Sequence, residues 1–207
     1  LPNESEIARE YGLSVGTVRK ALDWIANAQL ITRRQGKGTF VLDWTSHDTM
    51  LRRLHFFSAR SGQPIIGTIG SCELTTANPN PEEMEHLELR SDQAVFRIEQ
   101  VRLLDGAKLS WERHVVPAAL FPDIPDKPYE ILVFPEFAFT HGVVVGPGRE
   151  RVSCIAADAD LAGKLDLRVG TPLLRIERML NTIDGVPASW RVGWFRPDDL
   201  VYEAELR

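Results

Sequence analysis

Three cations lie close together in the segment Arg33-Arg34-Gln35-Gly36-Lys37-Gly38. Positive side chains around two glycines are typical of a hairpin tip that lies along nucleic-acid phosphates or in a minor groove. An ordinary surface hairpin can carry the same charges. This segment alone therefore leaves a DNA-binding and a solvated interpretation open.

A second candidate for a binding site is Arg102. It is separated from Phe96, Ile98 and Gln100 by even numbers of residues, so in a strand all four lie on the same face. Its guanidinium should approach the apolar face of a sheet, where an unpaired cation costs free energy. Arg102 therefore needs an anionic partner, either a structural carboxylate or a ligand.

Farther along, the sequence places two opposite charges on one strand face and predicts a plain ion pair between Arg196 and Asp198.

Other chemistries lack the residue patterns they need. The five histidines show no metal-ligand spacing, and Cys72 and Cys154 lie far apart outside any Cys-x-x-Cys motif. The sequence shows no nucleophile–base pair and no phosphate-binding loop. We therefore expect neither a metal nor another cofactor, no enzyme activity, and buried thiols at the two cysteines.

The elements that must position the cationic segment follow from capping and periodicity. Asn3 and Glu6 form the reciprocal pattern of a helix start, Gly12 supplies a tight turn, and Ser14 caps a second helix. The apolar positions of that second helix recur at helical spacing at Val18, Ala21, Leu22, Ile25 and Ala26. Trp24 is predicted to belong to the same core.

Two short strand-like runs, residues 31–34 and 39–42, flank the glycine-containing turn. Together with the two helices they predict a winged helix-turn-helix, whose second helix enters the major groove with its N-terminal end nearest the bases. The predicted DNA contacts are Ser14, Thr17, Arg19, Lys20, Arg33, Arg34, Gln35, Gly36 and Lys37.

The charge of the chain is unevenly distributed. Residues 1–42 carry a net charge of +2, whereas the remainder carries −7 within a total of −5. A basic head on an acidic body fits a polyanion-binding module joined to one that does not touch the polyanion. No stretch approaches the roughly 18 apolar residues of a membrane span, and we expect a cytoplasmic protein without a membrane partner.

The larger region contains an internal duplication. A tetrapeptide, a strand, an Asp-Gly turn and a Ser-Trp pair occur twice, at an offset of 78 residues that becomes 79. The first copy contains Asp105-Gly106 and Ser110-Trp111, and the second contains Asp184-Gly185 and Ser189-Trp190. Each copy predicts a short helix followed by a hairpin, and the two together predict one antiparallel sheet in an α+β domain.

The register of the first hairpin decides whether Arg102 and Glu112 face the same way. A two-residue loop would place Gln100 opposite Trp111 and leave Glu112 on the other face. A three-residue loop with a bulge places Gln100 opposite Glu112 and Arg102 opposite Ser110. If Arg102 and Glu112 form a ligand pair, as the resemblance described below implies, they must face the same way. We therefore predict the three-residue loop, with the two charged side chains converging.

The first 42 residues resemble the DNA-binding domain of the GntR family of regulators. The resemblance implies that a preceding helix is absent from this sequence. Ser5 and Val15 stand where many members carry arginine, so part of the usual contact set is expected to be replaced. The matching stretches are residues 1–8, 12–14, 17–22 and 35–41.

Residues 54–207 resemble the effector-binding UTRA domain of the HutC-like subfamily, whose fold is similar to chorismate lyase, and residues 43–53 are predicted to be a linker. The stretches that match this domain include residues 97–99, 105–106, 111–112, 173–178, 184–187 and 196–198. In such domains an often anionic ligand lies against the sheet. Ser189 replaces the glutamate typical of sugar-phosphate sensors, which disfavours a sugar. The implied effector contacts are Arg102, Glu112, Tyr129, Trp190 and Arg196.

These features predict a transcription regulator whose partners are double-stranded operator DNA and a small molecule. We expect a homodimer, because two recognition helices on a palindromic site give adequate specificity. Repression relieved by a small anionic metabolite is the predicted action. The alternative is an enzyme that retains catalysis in a chorismate-lyase-like domain, which the missing catalytic constellation disfavours.

Overall fold

The computed structural model describes residues 1–27, 31–41, 56–124, 131 and 133–204. The chain forms two compact units, Leu1–Thr49 and Met50–Arg207. The predicted linker at 43–53 lies outside the described residues. Among the described helices, none is both long and apolar enough to span a bilayer.

The first unit contains helices α1 (Glu4–Tyr11) and α2 (Val15–Asn27) and a hairpin of β1 (Ile31–Arg34) and β2 (Gly38–Val41). The predicted capping box is confirmed, because the Asn3 side chain accepts from the Glu6 amide and the Glu6 side chain accepts from the Asn3 amide. Gly12 ends α1 in the left-handed conformation at φ 65°, which glycine adopts without steric cost.

The core of this unit consists of Ala8, Val18, Leu22 and Ile31, with Ile7, Ile25 and Ala26 packed against it. Two core predictions are wrong: Ala21 is exposed, and Trp24 is 53% exposed. Trp24 follows Val18 by six residues, which at 3.6 residues per turn rotates it roughly 120° away from the buried stripe.

The second unit is built around a six-stranded antiparallel sheet of order β4-β5-β6-β9-β8-β7. Its first half comprises β4 (Thr68–Ala77), α3 (Pro81–Leu87), β5 (Val95–Leu104) and β6 (Ala107–Pro117). Its second half comprises β7 (Val145–Ala156), α5 (Ala159–Leu165), β8 (Pro172–Thr182) and β9 (Pro187–Phe195). A 3-10 helix (Ala118–Leu120) and α4 (Phe134–Thr140) lie between the halves.

The predicted duplication is confirmed in three dimensions. Each half is a strand, a helix and a hairpin, and the halves meet at the central β6–β9 pair. The equivalence extends to single residues. Glu88 and Asp166, which directly follow α3 and α5, both adopt the left-handed conformation, at φ 53° and 54°. Sequence reasoning missed the leading strands β4 and β7.

In the first hairpin the loop length differs from the prediction, whereas the predicted pairing of Gln100 with Glu112 is confirmed. Leu104 pairs with Ala107, so the loop has two residues, Asp105 and Gly106, at φ 51° and 79°. The three-residue loop is wrong because Asp-Gly favours the type I′ turn, which needs positive φ at both positions. A bulge within the strands then places Arg102 opposite Ser110 and Gln100 opposite Glu112, as predicted.

The central strands of the sheet are covered on both faces. One face packs against the segment between the halves through a cluster that includes Ile98, Val116, Phe121, Phe134 and Phe137. The opposite face packs against α3 and α5 through clusters that include Leu87, Val115 and Trp190, and Trp111, Leu161 and Leu165. Of the cysteines, Cys72 is half-buried and Cys154 is exposed, so the prediction of a buried thiol is wrong for Cys154.

The two ends of the second unit form a separate ribbon. Strand β3 (Phe56–Ser58) pairs with β10 (Leu200–Tyr202). The ring centroid of Phe56 lies 4.4 Å from that of Phe195 at the end of β9. The Ser58 hydroxyl donates to the Asp199 carboxylate at 2.8 Å. The ribbon therefore joins the start of the unit to its last strand and to the main sheet.

Candidate functional site

The hairpin of the first unit presents its cations to solvent. The Lys37 amide donates to the Arg34 carbonyl at 2.9 Å across a three-residue turn in which Gly36 has φ 72°. Arg34, Gln35 and Lys37 are exposed. The Arg34 guanidinium lies 5.8 Å from the Phe40 ring centroid, so part of its position is set by the strand behind it.

The N-terminal end of α2 is also exposed. The Ser14 hydroxyl accepts from the Thr17 amide at 3.0 Å, as predicted for a cap, and lies 2.8 Å from the Thr17 hydroxyl. The cap leaves these small hydroxyls on the surface. Such an end can approach base edges or phosphates closely.

Two of the predicted DNA contacts are held by carboxylates of the same unit. Arg19 Nε donates to Glu4 Oε2 at 2.9 Å, and Arg33 Nη1 donates to Asp23 Oδ1 at 2.5 Å. The hydrogen bond to Glu4 raises the pKa of Arg19. Three other cations differ from Arg19 and Arg33. Within residues 1–27 and 31–41, none of Lys20, Arg34 and Lys37 forms an ion pair with a carboxylate.

The polar centre of the second unit is Glu112 in β6, which is fully buried. Arg102 Nε lies 2.8 Å from Glu112 Oε1, and the Ser110 hydroxyl donates to the same oxygen at 2.9 Å. Arg191 in β9 donates from Nη2 and Nε to Glu112 Oε2 at 3.0 and 3.1 Å. Glu112 thus lies between two guanidiniums from different halves of the domain.

Gln100 and the carbonyl of Ile131 complete this cluster. Gln100 Nε2 donates to the Ile131 carbonyl at 3.0 Å and to Glu112 Oε2 at 3.3 Å. Arg102 Nη2 donates to the same carbonyl at 2.7 Å. The backbone of Ile131 is therefore held to the sheet by Gln100 and Arg102.

Burial and the neighbouring charges shift the pKa of Glu112 in opposite directions. Burial alone would raise the pKa of its carboxyl, but the guanidiniums of Arg102 and Arg191 outweigh it and hold the pKa well below its usual range. His114 lies beside it, with Nε2 3.5 Å from Glu112 Oε2. Burial, reinforced by Arg191 and Arg102 against the attraction of Glu112, lowers the pKa of His114 to about 4. The ring is neutral at pH 7.

Of the predicted effector contacts that the structure describes, Arg102 and Glu112 lie together, whereas Trp190 and Arg196 lie elsewhere. Trp190 pairs with Val115, which places it on the opposite face of the sheet. Its indole donates to Glu177 Oε1 at 3.0 Å and stacks on His86 at 4.5 Å. Its placement there follows from strand parity, because it neighbours Arg191, whose side chain points toward Glu112.

Arg196 lies away from the cluster and forms the predicted ion pair. Its Nε and Nη2 donate to Asp198 Oδ2 at 3.0 and 2.7 Å, and its Nη1 lies 3.4 Å from the Lys108 carbonyl. The remaining candidate, Tyr129, lies outside the described residues.

Sequence reasoning missed Arg191 as a member of the site. The signal was present in the duplication, because Glu112 and Arg191 occupy equivalent positions in the two copies at the later offset of 79 residues. Equivalent positions on the two central strands lie close to the seam between the halves. A glutamate in one copy and an arginine in the other could therefore have been predicted to pair.

A winged helix-turn-helix unit followed by an α+β domain is the arrangement of a DNA-binding regulator. Residues 1–41 match the family model of the bacterial regulatory proteins, gntR family, and residues 69–200 match that of the UTRA domain. The chain therefore belongs to the UTRA-domain proteins and carries a gntR-type helix-turn-helix unit ahead of that domain. It is a DNA-binding transcription regulator.

Relatives are similar in sequence over most of the chain. The HTH-type transcriptional repressor NagR of Bacillus subtilis is 22% identical over 198 residues, which is 96% of this chain and 82% of that protein. The histidine utilization repressor of Pseudomonas putida is 26% identical over 182 residues, 86% of this chain and 71% of that protein.

Solved structures share the fold. PhnF from Mycobacterium smegmatis has a TM-score of 0.62 at 19% identity and covers 100% of this chain and 91% of its own. YydK from Bacillus subtilis, described as a possible transcriptional regulator, has a TM-score of 0.61 at 20% identity, covering 100% and 89%. At these identities the likeness concerns the fold alone.

Proposed function

We propose that this regulator is a HutC-like repressor that leaves its operator when a small anionic metabolite binds beside Glu112. The observation that carries the proposal is the pair of buried guanidiniums, Arg102 and Arg191, on one face of the sheet. An anion that reaches this face finds two cations in a low-dielectric environment, where charge-assisted hydrogen bonds are strong. The relatives named as repressors support the direction of control.

The names of the relatives leave the effector open. They refer to compounds as different as fructoselysine, mannosyl-D-glycerate and histidine. The proposal is tested by selecting genomic DNA fragments on the full chain and then screening metabolite pools for release of the selected duplex. Release by an anionic pool is expected. Selection of no specific duplex would contradict the proposal.

The proposed DNA contacts divide into three groups. Lys20, Arg34 and Lys37, which form no ion pair with the described carboxylates of residues 1–41, supply phosphate contacts. Arg19 and Arg33 approach DNA from positions fixed by Glu4 and Asp23. The remaining contacts of the proposal are polar or backbone contacts from Ser14, Thr17, Gln35 and Gly36.

Replacing Arg34 or Lys37 by alanine should weaken binding to all duplex sequences to a similar degree. Removal of one phosphate contact should reduce the slope of log affinity against log salt concentration by about one. Fluorescence anisotropy with a selected and a scrambled duplex measures both quantities. Arg90→Ala, an exposed arginine of the second unit, is the matched control and should leave the slope unchanged. An unchanged slope in both tip variants would mean that the hairpin does not touch phosphate.

The proposed repressor acts as a homodimer, since an operator with two half-sites requires two copies of α2. The full chain should therefore show twice its monomer mass by light scattering at micromolar concentration, and one dimer should bind each selected duplex. A monomer mass at high micromolar concentration, both with and without DNA, would contradict the dimer.

A further inference from the structure

The amide of Gln100 has a fixed orientation. Its nitrogen donates to the Ile131 carbonyl and to Glu112 Oε2, and both partners are acceptors. A flipped amide would place its oxygen against these two oxygens, so the observed orientation is the favourable one. Gln100 Oε1 therefore points elsewhere. It is buried and, within the described part of the chain, has no hydrogen-bond partner.

His114 presents a second acceptor of the same kind. Its Nε2 faces Glu112 Oε2 at 3.5 Å, which favours the tautomer with the proton on Nε2. Nδ1 then carries a lone pair. His114 is 2% exposed, and among the described residues nothing forms a hydrogen bond with Nδ1. An unsatisfied buried polar atom lowers stability, so each of these two acceptors calls for a hydrogen-bond donor that the described residues do not supply.

The two acceptors lie on the same face of the sheet. Gln100 pairs with Glu112, and Ile98 pairs with His114, so Gln100 and His114 are diagonal neighbours on adjacent strands. Long side chains at such positions lie within reach of each other, so one small molecule between them can contact both. The guanidinium donors nearby are directed at Glu112 and at the Ile131 carbonyl. The unused hydrogen-bonding capacity of Gln100 and His114 is therefore acceptor capacity.

We propose that the effector donates hydrogen bonds from hydroxyl or amino groups to Gln100 Oε1 and His114 Nδ1, and that these donors select it among small anions. This inference rests on the proposed effector site. It specifies a hydroxylated or amino-bearing acid. A simple carboxylate or alkyl phosphate would leave both buried acceptors unsatisfied, which is a strong basis for rejection.

The first test needs no ligand. His114→Leu removes the unsatisfied Nδ1 at the cost of only the long contact from Nε2 to Glu112. The ligand-free chain should therefore unfold at a temperature about 2–4 °C higher than the parent. The matched control is His86→Leu, because His86 stacks on Trp190 and lies 3.4 Å from Glu177. That variant should unfold at a lower temperature. A lower temperature for His114→Leu would show that its nitrogens are satisfied within the protein and would overturn the proposal.

The second test uses two pairs of probes with the full chain. Glycerol 1-phosphate is compared with propyl phosphate, and glycerate with propionate, by calorimetry. The hydroxylated member of at least one pair should bind at least tenfold more tightly, and His114→Leu and Gln100→Met should remove that advantage while retaining the weak binding of the unhydroxylated member. Equal binding within both pairs, or no binding by any probe, would overturn the proposal.

Release of the selected duplex separates this inference from the proposed function. Equal release by both members of a pair would support an anion-responsive repressor and overturn the selection by donors. Tight binding of the hydroxylated member without any change in DNA affinity would support the donor contacts and overturn the proposed function of the site.

Discussion

Glu112→Leu should lower the free energy of unfolding of the second unit by about 3–5 kcal/mol, because it leaves two buried guanidiniums without their carboxylate. Arg102 and Arg191 both pair with Glu112 and are only 10% and 12% exposed. Urea denaturation followed by tryptophan fluorescence measures the change, since the sheet carries several tryptophans.

Glu99→Leu is the matched control for this prediction. Glu99 pairs with Arg113 on a neighbouring part of the sheet, but both side chains are about one-third exposed. A pair of this kind contributes about 0–1 kcal/mol. If the two variants lost equal stability, the Glu112 cluster would not behave as a buried ionic centre. Replacing Arg102 and Arg191 by methionine in the Glu112→Leu background should recover much of the loss.

Stability should fall as the pH decreases from about 6.5 to about 4, by an amount on the order of 3 kcal/mol from His114 alone. The pKa of His114 is lowered from 6.5 to about 4 in the folded protein. Between these values the unfolded chain binds a proton that the folded chain does not bind. Acidification therefore favours unfolding, and this destabilisation by His114 is absent only above about pH 6.5.

The carboxyl of Glu112 extends this acid sensitivity. Because its folded pKa is held well below the ordinary value, its contribution is present above about pH 4.5 and is lost as the pH falls further. Denaturation curves at pH 7, 5.5 and 4.5 separate the two groups. The His114→Leu variant should have a much flatter dependence between pH 6.5 and 4.5 than the parent, and an equally steep one would assign the effect to other groups.

Local signals in the sequence predicted much of the fold. Helix caps at Asn3 and Ser14 depend on neighbouring residues only, and the two Asp-Gly turns and the internal repeat define the hairpins directly. The requirement that a ligand pair face one way also predicted that Arg102 and Glu112 share a face. These features could be predicted because each depends on spacing within one element or one hairpin.

The errors arose where tertiary pairing decides the outcome. The bulge that brings Arg102 opposite Ser110 lies inside the strands, whereas reasoning from the loop placed it in the turn. Trp190 was assigned to the effector by resemblance, although its parity puts it under α3. Arg191 could be recognised only by pairing β6 with β9, which belong to different copies of the repeat. The exposure of Trp24 depends on where the buried stripe of α2 is centred.

The ribbon of β3 and β10 has a consequence for how the second unit folds. Each half of the sheet forms from neighbouring strands, so its contacts close short loops and carry a small entropic cost. The ribbon instead joins the first and last strands of the unit, Phe56–Ser58 and Leu200–Tyr202. Among the described strand pairs, β3 and β10 are separated by the most residues, so their pairing has the largest entropic cost. We therefore expect the ribbon to form after both halves and the β6–β9 pair. The end of the unit that follows residues 42–55 is thus the last to acquire its native order during folding.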